Sequence, residues 1–287
     1  MVDQSNLSSS NSKDVIAYYE KTESRIGYDL LLHGTKHFGF YLPGQSKWQF
    51  GAAMLKMTDK LGETIGLAKG SFLLDAGCGV GDVARRLAST HGYLITGIDL
   101  LDFNIADAVK RAYSQTLSPM PSFSVMDYSK LTFDDSTFDG VYTMETLVHA
   151  KSPETVLEGF FRVLKPGGRI VLFEYSHLPY EQMPTRVASV FKEINCVAAM
   201  PAFDQFNYGT LTRMLKQTGF VDVECEDISK NIWPMLHAFS LMAMVPYQLS
   251  RLLNKTGKIP NAMSGVELWR YRNLWRYNVL SGRKPLQ

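Results

Sequence analysis

The sequence predicts an α/β fold with a doubly wound, mostly parallel seven-stranded sheet. Short apolar runs alternate with helical segments from Ser71 onward, a rhythm that is typical of right-handed β–α–β crossovers. The turn-forming run Lys165–Gly168 separates a predicted helix from the strand that follows it. The predicted strands are Phe72–Asp75, Leu94–Asp99, Ser122–Met126, Phe138–Thr143, Arg169–Glu174, Val221–Cys225 and Tyr277–Gly282.

Several segments fall outside this alternation, and they predict a tail and a helical lid. Residues 1–14 are rich in Ser and Asn and predict a disordered tail, whereas residues 15–50 are rich in aromatic and histidine side chains. We expect 15–50 to form an N-terminal lid and 51–287 to form the main domain, with cap insertions near 179–208 and 230–265. Such a lid would cover the carboxyl edge of the sheet, where ligands of these folds bind.

The composition excludes several classes of function. Apolar residues make up 45% and charged residues 20% of the 287 residues, and the net charge of +2 gives no support for a nucleic-acid partner. Three cysteines without a C-x-x-C pair favour reduced thiols and a cytoplasmic protein. Prolines interrupt the apolar run 232–249, so we expect no transmembrane segment. A monomer or a homodimer fits this composition.

A glycine-rich turn after the first predicted strand is the strongest functional signal. Residues Leu73–Asp82 read LLDAGCGVGD, and glycines let the backbone turn sharply and approach a ligand. The helix that follows offers unpaired N–H groups to a negative group. A dinucleotide site needs a third glycine where this chain has Asp82. Because an acidic side chain repels a pyrophosphate but suits a cationic sulfonium, the spacing favours S-adenosylmethionine (SAM) over NAD.

Two later acidic residues favour the same cofactor. Asp99 ends the second predicted strand, where a carboxylate can accept hydrogen bonds from ribose hydroxyls. Asp127 follows the third strand, where it can accept from an adenine amino group. Either side chain could instead cap the helix after it. The predicted cofactor-binding residues are Asp75, Gly77, Cys78, Gly79, Asp99, Leu100, Asp127, Tyr128 and Glu145.

Four further motifs resemble those of one enzyme family. They are His33–Tyr41 (HGTKHFGFY), Met144–Ala150 (METLVHA), Val163–Gly168 (VLKPGG) and Gly282–Pro285 (GRKP). With the glycine turn, they resemble the class I SAM-dependent methyltransferases. The similar branch acts on small molecules and includes tocopherol, sterol side-chain and natural-product sugar O-methyltransferases. The resemblance implies a Rossmann-like fold, SAM as cofactor with S-adenosylhomocysteine as its product, and an apolar small-molecule substrate.

His149 and Glu174 are the predicted catalytic pair. Each follows or ends a predicted strand at the carboxyl edge of the sheet, where the methyl group of SAM should point. A neutral histidine can accept a proton from a hydroxyl or amine, and a carboxylate can hold the imidazole in one tautomer. A purely structural histidine and a loop-capping glutamate remain open alternatives.

Aromatic and histidine side chains of the lid and cap are the predicted substrate contacts. His33 and His37 have the i, i+4 spacing of a metal pair, but no third ligand accompanies them, so we expect no metal. Apolar packing alone is the alternative for the aromatic residues. The predicted substrate and lid residues are Tyr18, Tyr19, His33, His37, Phe40 and Trp233.

These observations predict methyl transfer from SAM to an oxygen or nitrogen, or else a carbon, of an apolar metabolite. A natural product or a terpenoid- or sterol-like molecule fits the aromatic lid. Two alternatives stay open, because fold does not determine chemistry. One is a pericyclic or isomerising reaction in which SAM acts structurally, and the other is a SAM-binding module without turnover.

Overall fold

The computed structural model describes residue 16, residues 35–253 and residues 259–287. In this part of the chain, no helix is both long and apolar enough to cross a membrane. The predicted features that lie outside the described residues are the tail 1–14, most of the N-terminal lid before residue 35, Tyr18, Tyr19, His33 and residues 254–258 of the second cap.

All seven predicted strands are present and form one sheet. They are β1 Phe72–Ala76, β2 Leu94–Asp99, β3 Ser122–Val125, β4 Phe138–Met144, β5 Leu164–His177, β6 Val221–Asp227 and β7 Trp275–Arg283. The strand order is β3-β2-β1-β4-β5-β7-β6. Strands β1 to β5 are parallel, and β7 runs antiparallel to β5 and β6. The predicted mostly parallel, doubly wound sheet is therefore confirmed.

Strand β5 departs from its predicted bounds at both ends. Between the pairs Phe138–Leu164 and Gly140–Arg169, β4 advances two residues while β5 advances five, so the predicted turn is a bulge within the strand. Gly167 has φ 77° there, and its N–H donates to the Lys284 carbonyl at 2.9 Å. At the carboxyl end β5 continues to His177, because β7 pairs with it over that whole length.

Helices connect the strands and form the cap. The first turn of α4 is capped by a side chain: Pro153 opens the helix, and the Ser152 Oγ accepts a hydrogen bond from the Thr155 N–H at 3.4 Å. The cap segment Pro201–Gln205 lies against the short turn Leu147–His149 that follows β4. The helices are α1 Phe50–Ile65, α2 Asp82–His91, α3 Asp102–Tyr113, α4 Pro153–Val163, α5 Thr185–Val197, α6 Thr210–Thr218, α7 Ser229–Leu252 and α8 Pro260–Arg270.

The central strands carry the main core, and we expect Leu172→Ala to be strongly destabilising. Leu172 is fully buried in β5, between Thr143 of β4 and Leu280 of β7. Removing its side chain leaves a cavity that rigid sheet neighbours cannot close, so the free energy of unfolding should fall by about 2–5 kcal/mol. Urea denaturation measures this loss. Leu286→Ala, at a position that is 80% exposed, is the control; an equal loss in both variants would contradict the prediction.

Candidate active site

A cavity of about 530 Å³ lies at the carboxyl edge of β1, β2 and β4. Its volume is within the range of about 300–1,000 Å³ that small-molecule sites occupy. It gathers most of the predicted site residues from five separate segments of the chain. The predicted residues in its wall are His37, Asp75, Gly77, Cys78, Gly79, Asp99, Leu100, Asp127, Tyr128, Glu145 and His149.

The glycine turn forms the floor of this cavity. Gly77 has φ 95°, and a Cβ there would approach Thr146 Cγ2 to 2.5 Å, so only glycine fits. A Cβ on Gly79, with φ 53°, would meet no atom within 4 Å, which leaves open space above the turn. The N–H groups of Gly77 and Cys78 both donate to the Ile98 carbonyl, at 2.8 and 2.9 Å, and tie the turn to β2.

The Asp99 carboxylate is held in place by three protein donors. Its Oδ2 accepts from the Gly79 N–H at 2.9 Å, and its Oδ1 accepts from the Leu101 N–H at 2.9 Å and Asn104 Nδ2 at 3.0 Å. Asp99 thus joins the glycine turn to the start of α3. Because each carboxylate oxygen can accept more than one hydrogen bond, this anchoring is compatible with binding of a hydroxyl pair.

Asp75 places an unsatisfied acidic group in the cavity wall. Its side chain is buried beside the Tyr142 hydroxyl, which interacts with the carboxylate, but in strict hydrogen-bond geometry its Oδ2 has no partner among the described residues. Burial raises the pKa of Asp75 to about 7. A buried polar atom without a partner is rare in folded proteins, so this oxygen indicates a donor or cation supplied by a ligand.

Asp127 caps the short turn Tyr128–Lys130, as the structural alternative predicted. Its Oδ1 accepts from the Ser129 N–H at 2.8 Å and from the Ser129 Oγ at 2.7 Å. The Tyr128 hydroxyl donates to the Thr146 carbonyl at 2.9 Å, which joins this turn to the loop after β4. Capping uses one oxygen of Asp127, so the same carboxylate retains acceptor capacity toward the cavity that it lines.

Residues 35–37 line the cavity, and three hydrogen bonds hold the segment 35–38 in place. The Thr35 hydroxyl donates to Asp82, the Lys36 Nζ donates to Asn104 Oδ1 at 3.4 Å, and the Phe38 N–H donates to Glu145 at 2.6 Å. His37 lies buried between them, and its Nδ1 donates to the carbonyl of Phe38 at 2.8 Å. This part of the predicted lid therefore lies over the site.

Glu145 has a role that the sequence analysis missed. Besides Phe38, it accepts hydrogen bonds from the hydroxyls of Tyr277, at 2.7 Å, and Tyr175. Its backbone has φ 59°, which is uncommon for a residue with a side chain. Three protein donors thus satisfy the carboxylate that the sequence assigned to the cofactor. Only the positions of the two tyrosines in the folded sheet reveal this cluster.

His149 lies in the cavity wall as a neutral imidazole. Its Nδ1 donates to the Ala199 carbonyl at 2.7 Å, and burial lowers its pKa. Ala199 belongs to the cap and has φ 52°. A carbonyl can only accept a hydrogen bond, so the proton of the neutral ring is on Nδ1 and Nε2 is an acceptor.

Glu174 does not orient His149, and the predicted pair is corrected. The Glu174 Oε1 accepts from the Leu147 N–H at 2.6 Å, and the side chain is fully buried and outside the cavity wall. Burial raises its pKa to about 8, so the carboxyl is largely protonated at neutral pH. The cause is the length of β5: Glu174 lies inside the strand, opposite Asn278, rather than at its end.

Phe40 and Trp233 also lie outside the wall of this cavity. Both side chains are partly buried and pack against the main core. The Phe40 N–H donates to the Ala53 carbonyl at 2.8 Å, and the Arg272 guanidinium lies 5.7 Å from the Trp233 ring centroid. Packing, which was the alternative for the aromatic residues, describes both positions.

Comparisons with known proteins agree with this geometry. The chain matches the model described as "Methyltransferase domain" over residues 74–172. It is 31% identical to an O-methyltransferase of Aspergillus sclerotiorum, over 77% of this chain and 81% of that protein. The chain belongs to the SAM-dependent methyltransferase family. This confirms the family that the motifs resemble.

Two further proteins are similar over nearly the whole chain. A SAM-dependent Diels–Alderase of Talaromyces variabilis is 38% identical over 93% of this chain and 94% of that protein. The solved structure of the [4+2]-cyclase SpnF has a TM-score of 0.72 and 23% identity, and the match covers 96% of this chain and 94% of that chain.

SAM is the cofactor of this family, and the cavity fits it. The unsatisfied oxygen of Asp75 and the Asp99 carboxylate match a cationic ligand that also carries ribose hydroxyls. Gly79 leaves space for it above the turn. Over the described residues, no group of three or more His, Cys, Asp and Glu side chains gathers in a way that could hold a metal ion.

We expect Asp99→Ala to weaken SAM binding by about 1.5–3 kcal/mol, because a charged hydrogen-bond acceptor is lost. Isothermal titration calorimetry measures the affinity, and circular dichroism checks that the variant folds. Asp102→Ala, at an exposed residue in the first turn of α3, is the matched control. An unchanged affinity in folded Asp99→Ala would remove Asp99 from the cofactor site.

We expect the stability to fall as pH rises through about 7, in part because of Glu145. Burial raises the pKa of Glu145 to about 7, above the unfolded value of about 4.3. Its contribution is therefore fully present below the unfolded pKa and is lost as pH rises through the folded pKa. In denaturant titrations from pH 5 to 8, we expect the free energy of unfolding to decline by up to about 3 kcal/mol less in Glu145→Gln than in the parent protein. Exposed Glu158→Gln should leave the decline intact; the same slope in both variants would disprove the assignment.

Proposed function

We propose that this enzyme binds SAM in the cavity and promotes a [4+2] cycloaddition within an apolar small molecule. The observation that carries the proposal is the 38% identity to a SAM-dependent Diels–Alderase over 93% of this chain. An alignment of that extent includes the cap, which lies outside the matched methyltransferase domain of residues 74–172. Because the cap contacts the site through the Ala199 carbonyl, which holds His149, similarity through the cap favours a similar class of substrate.

In this proposal the acidic residues of the cavity hold the cofactor. Asp75 meets the ammonium group of SAM, Asp99 accepts from the ribose hydroxyls, and Asp127 accepts from the adenine amino group. Bound SAM supplies a positively charged sulfonium at the edge of the substrate space. The remaining contacts come from Gly77, Cys78, Gly79, Leu100 and Tyr128, which line the same cavity.

The other residues of the site hold the substrate and exclude water. A [4+2] cycloaddition forms two carbon–carbon σ bonds and one new π bond from three π bonds, and it transfers no proton and expels no leaving group. The enzyme therefore contributes mainly by holding the substrate in a folded conformation with the reacting π systems in contact. His149 is held by the Ala199 carbonyl of the cap, and residues 35–37 line the cavity, so both can constrain the folded substrate.

Methyl transfer to an oxygen or nitrogen, or else a carbon, is the second candidate, and His149 favours it. The Nε2 of the neutral imidazole is an acceptor, so it can take the proton that a hydroxyl or amine loses as it gains the methyl group. Natural products and terpenoid- or sterol-like molecules fit this reaction. A binding module without turnover is disfavoured, because residues 35–37 line the cavity together with a partly buried imidazole of fixed orientation.

Turnover in the presence of methyl-labelled SAM distinguishes the two reactions. The full chain is incubated with SAM and a panel of linear polyenes bearing an activated alkene, and products are analysed by mass spectrometry. We expect a cyclic isomer of the substrate, with no label in the product and no S-adenosylhomocysteine. A product one methylene heavier, with an equimolar amount of S-adenosylhomocysteine, would establish methyl transfer instead.

Two substitutions of His149 test the same proposal by a second route. For a cycloaddition, we expect His149→Gln to lower kcat by less than about tenfold, because a neutral polar group is retained and no proton moves. A general base would instead contribute about 10²–10⁴-fold, and the loss would be as large in His149→Gln as in His149→Ala. Calorimetry with SAM is the control, since neither variant should change cofactor affinity by more than about threefold.

A further inference from the structure

The second half of α7 exposes an apolar stripe to solvent. Val245 is 67% exposed, Leu249 55% and Leu252 81%. Their spacing of three and four residues places them on one side of the helix, together with Leu241 and Met242, which are also exposed. Surface helices normally turn polar side chains to water, and contiguous exposed apolar side chains mark an interaction surface.

Polar contacts fix the inward side of the second half of this helix. Tyr247 and Ser250 are buried. The Tyr247 hydroxyl donates to Glu267 of α8 at 2.7 Å, and the Ser250 Oγ donates to the Tyr247 carbonyl at 2.7 Å. The outward leucines therefore cannot be explained by a helix rotated to bury them, because specific polar contacts fix its orientation.

An exposed tryptophan extends this surface onto the neighbouring loop. Trp48 is 51% exposed, and its ring lies 6.2 Å from that of Phe50, which lies 5.5 Å from the ring of Phe239 in α7. The Lys47 ammonium is 5.6 Å from the Trp48 ring. Tryptophan beside lysine is the pairing that interfacial segments of membrane-bound proteins use.

The two segments that form this surface carry only positive charges, and the nearest exposed acid is Glu193 of α5, in the groove that Arg251 also lines. Residues 35–58 and 228–253 contain no Asp or Glu. Arg251 is exposed at the end of the apolar stripe, and Glu267, the acid that α7 contacts on its inner side, has a side chain only 4% exposed. The cations of the two segments are Lys36, Lys47, Lys56, Lys230 and Arg251.

We propose that this face, which we call the α7 face, binds the surface of an anionic lipid bilayer. The face consists of Trp48, Leu241, Met242, Val245, Leu249 and Leu252 with the flanking Lys47 and Arg251. An apolar stripe edged by cations lies in the membrane interface without crossing it. A second copy of the chain fits less well, because a two-fold contact would bring like charges together. Six apolar side chains are also fewer than the roughly 20–30 residues of a stable interface.

Flotation with vesicles tests the proposal on the full chain. Vesicles of phosphatidylcholine alone are compared with vesicles that also contain phosphatidylserine. We expect binding to the anionic vesicles, and we expect Val245→Glu with Leu249→Glu to lower the partition coefficient by about tenfold or more. Tyr113→Glu with Leu286→Glu adds the same charge at positions 79% and 80% exposed away from this face, and it should bind like the parent.

Three outcomes would overturn the proposal. The first is the absence of binding to anionic vesicles by the parent protein. The second is an equal loss in the α7-face variant and its control, which would indicate net charge alone. The third is a dimer in analytical ultracentrifugation that the α7-face variant dissociates, which would assign the face to a second copy. SAM affinity, measured in parallel, shows that the variants remain folded.

Discussion

The hydrogen bonds to the partly buried Glu145 carboxylate connect residues 35–38 to the sheet. The donors are the Phe38 N–H and the hydroxyls of Tyr175 in β5 and Tyr277 in β7. A buried carboxyl group is costly unless such donors satisfy it. The left-handed backbone of Glu145, which costs of order 1–3 kcal/mol, is held by its own N–H, which donates to the Phe173 carbonyl at 2.8 Å. The position of residues 35–38 therefore depends on Tyr175 and Tyr277, which lie far from this segment in the sequence.

The pairing of β7 with β5 determines which groups reach the catalytic centre. The ladder runs from Arg169 to His177, so Glu174 lies inside the sheet. Its carboxyl group accepts the N–H of Leu147, at the start of the turn that ends in His149. Glu174 thus supports that turn from below, while the Ala199 carbonyl holds the imidazole from the cap. The sheet and the cap together position one side chain.

Features of this fold that depend on contacts of short range in the chain were predictable from the sequence, and features that depend on distant residues were not. The glycine turn and Asp99 were predictable because their contacts stay within one β–α–β unit: the Gly77 N–H donates to the Ile98 carbonyl, and the Gly79 N–H donates to Asp99, 20 positions later. The seven strands were predictable because each is an apolar run that is visible in the local sequence. The role of Glu174 was not, because the end of β5 depends on pairing with residues about a hundred positions later. Phe40 and Trp233 have the composition of pocket walls, and only tertiary packing shows that they face the core.

The cofactor site by itself leaves the reaction undetermined. Asp99 and the glycine turn contact parts of the cavity that suit the non-reacting groups of SAM, and these groups are the same in a transferase and in a cyclase. The outcome depends on what the cap holds beside the sulfonium. A substrate with an acceptor atom near the His149 Nε2 leads to methyl transfer. A substrate folded so that its two π systems are in contact leads to cycloaddition. Residues 35–37 line the cavity and the Ala199 carbonyl orients His149, so substitutions at these positions should change the substrate affinity more than the cofactor affinity.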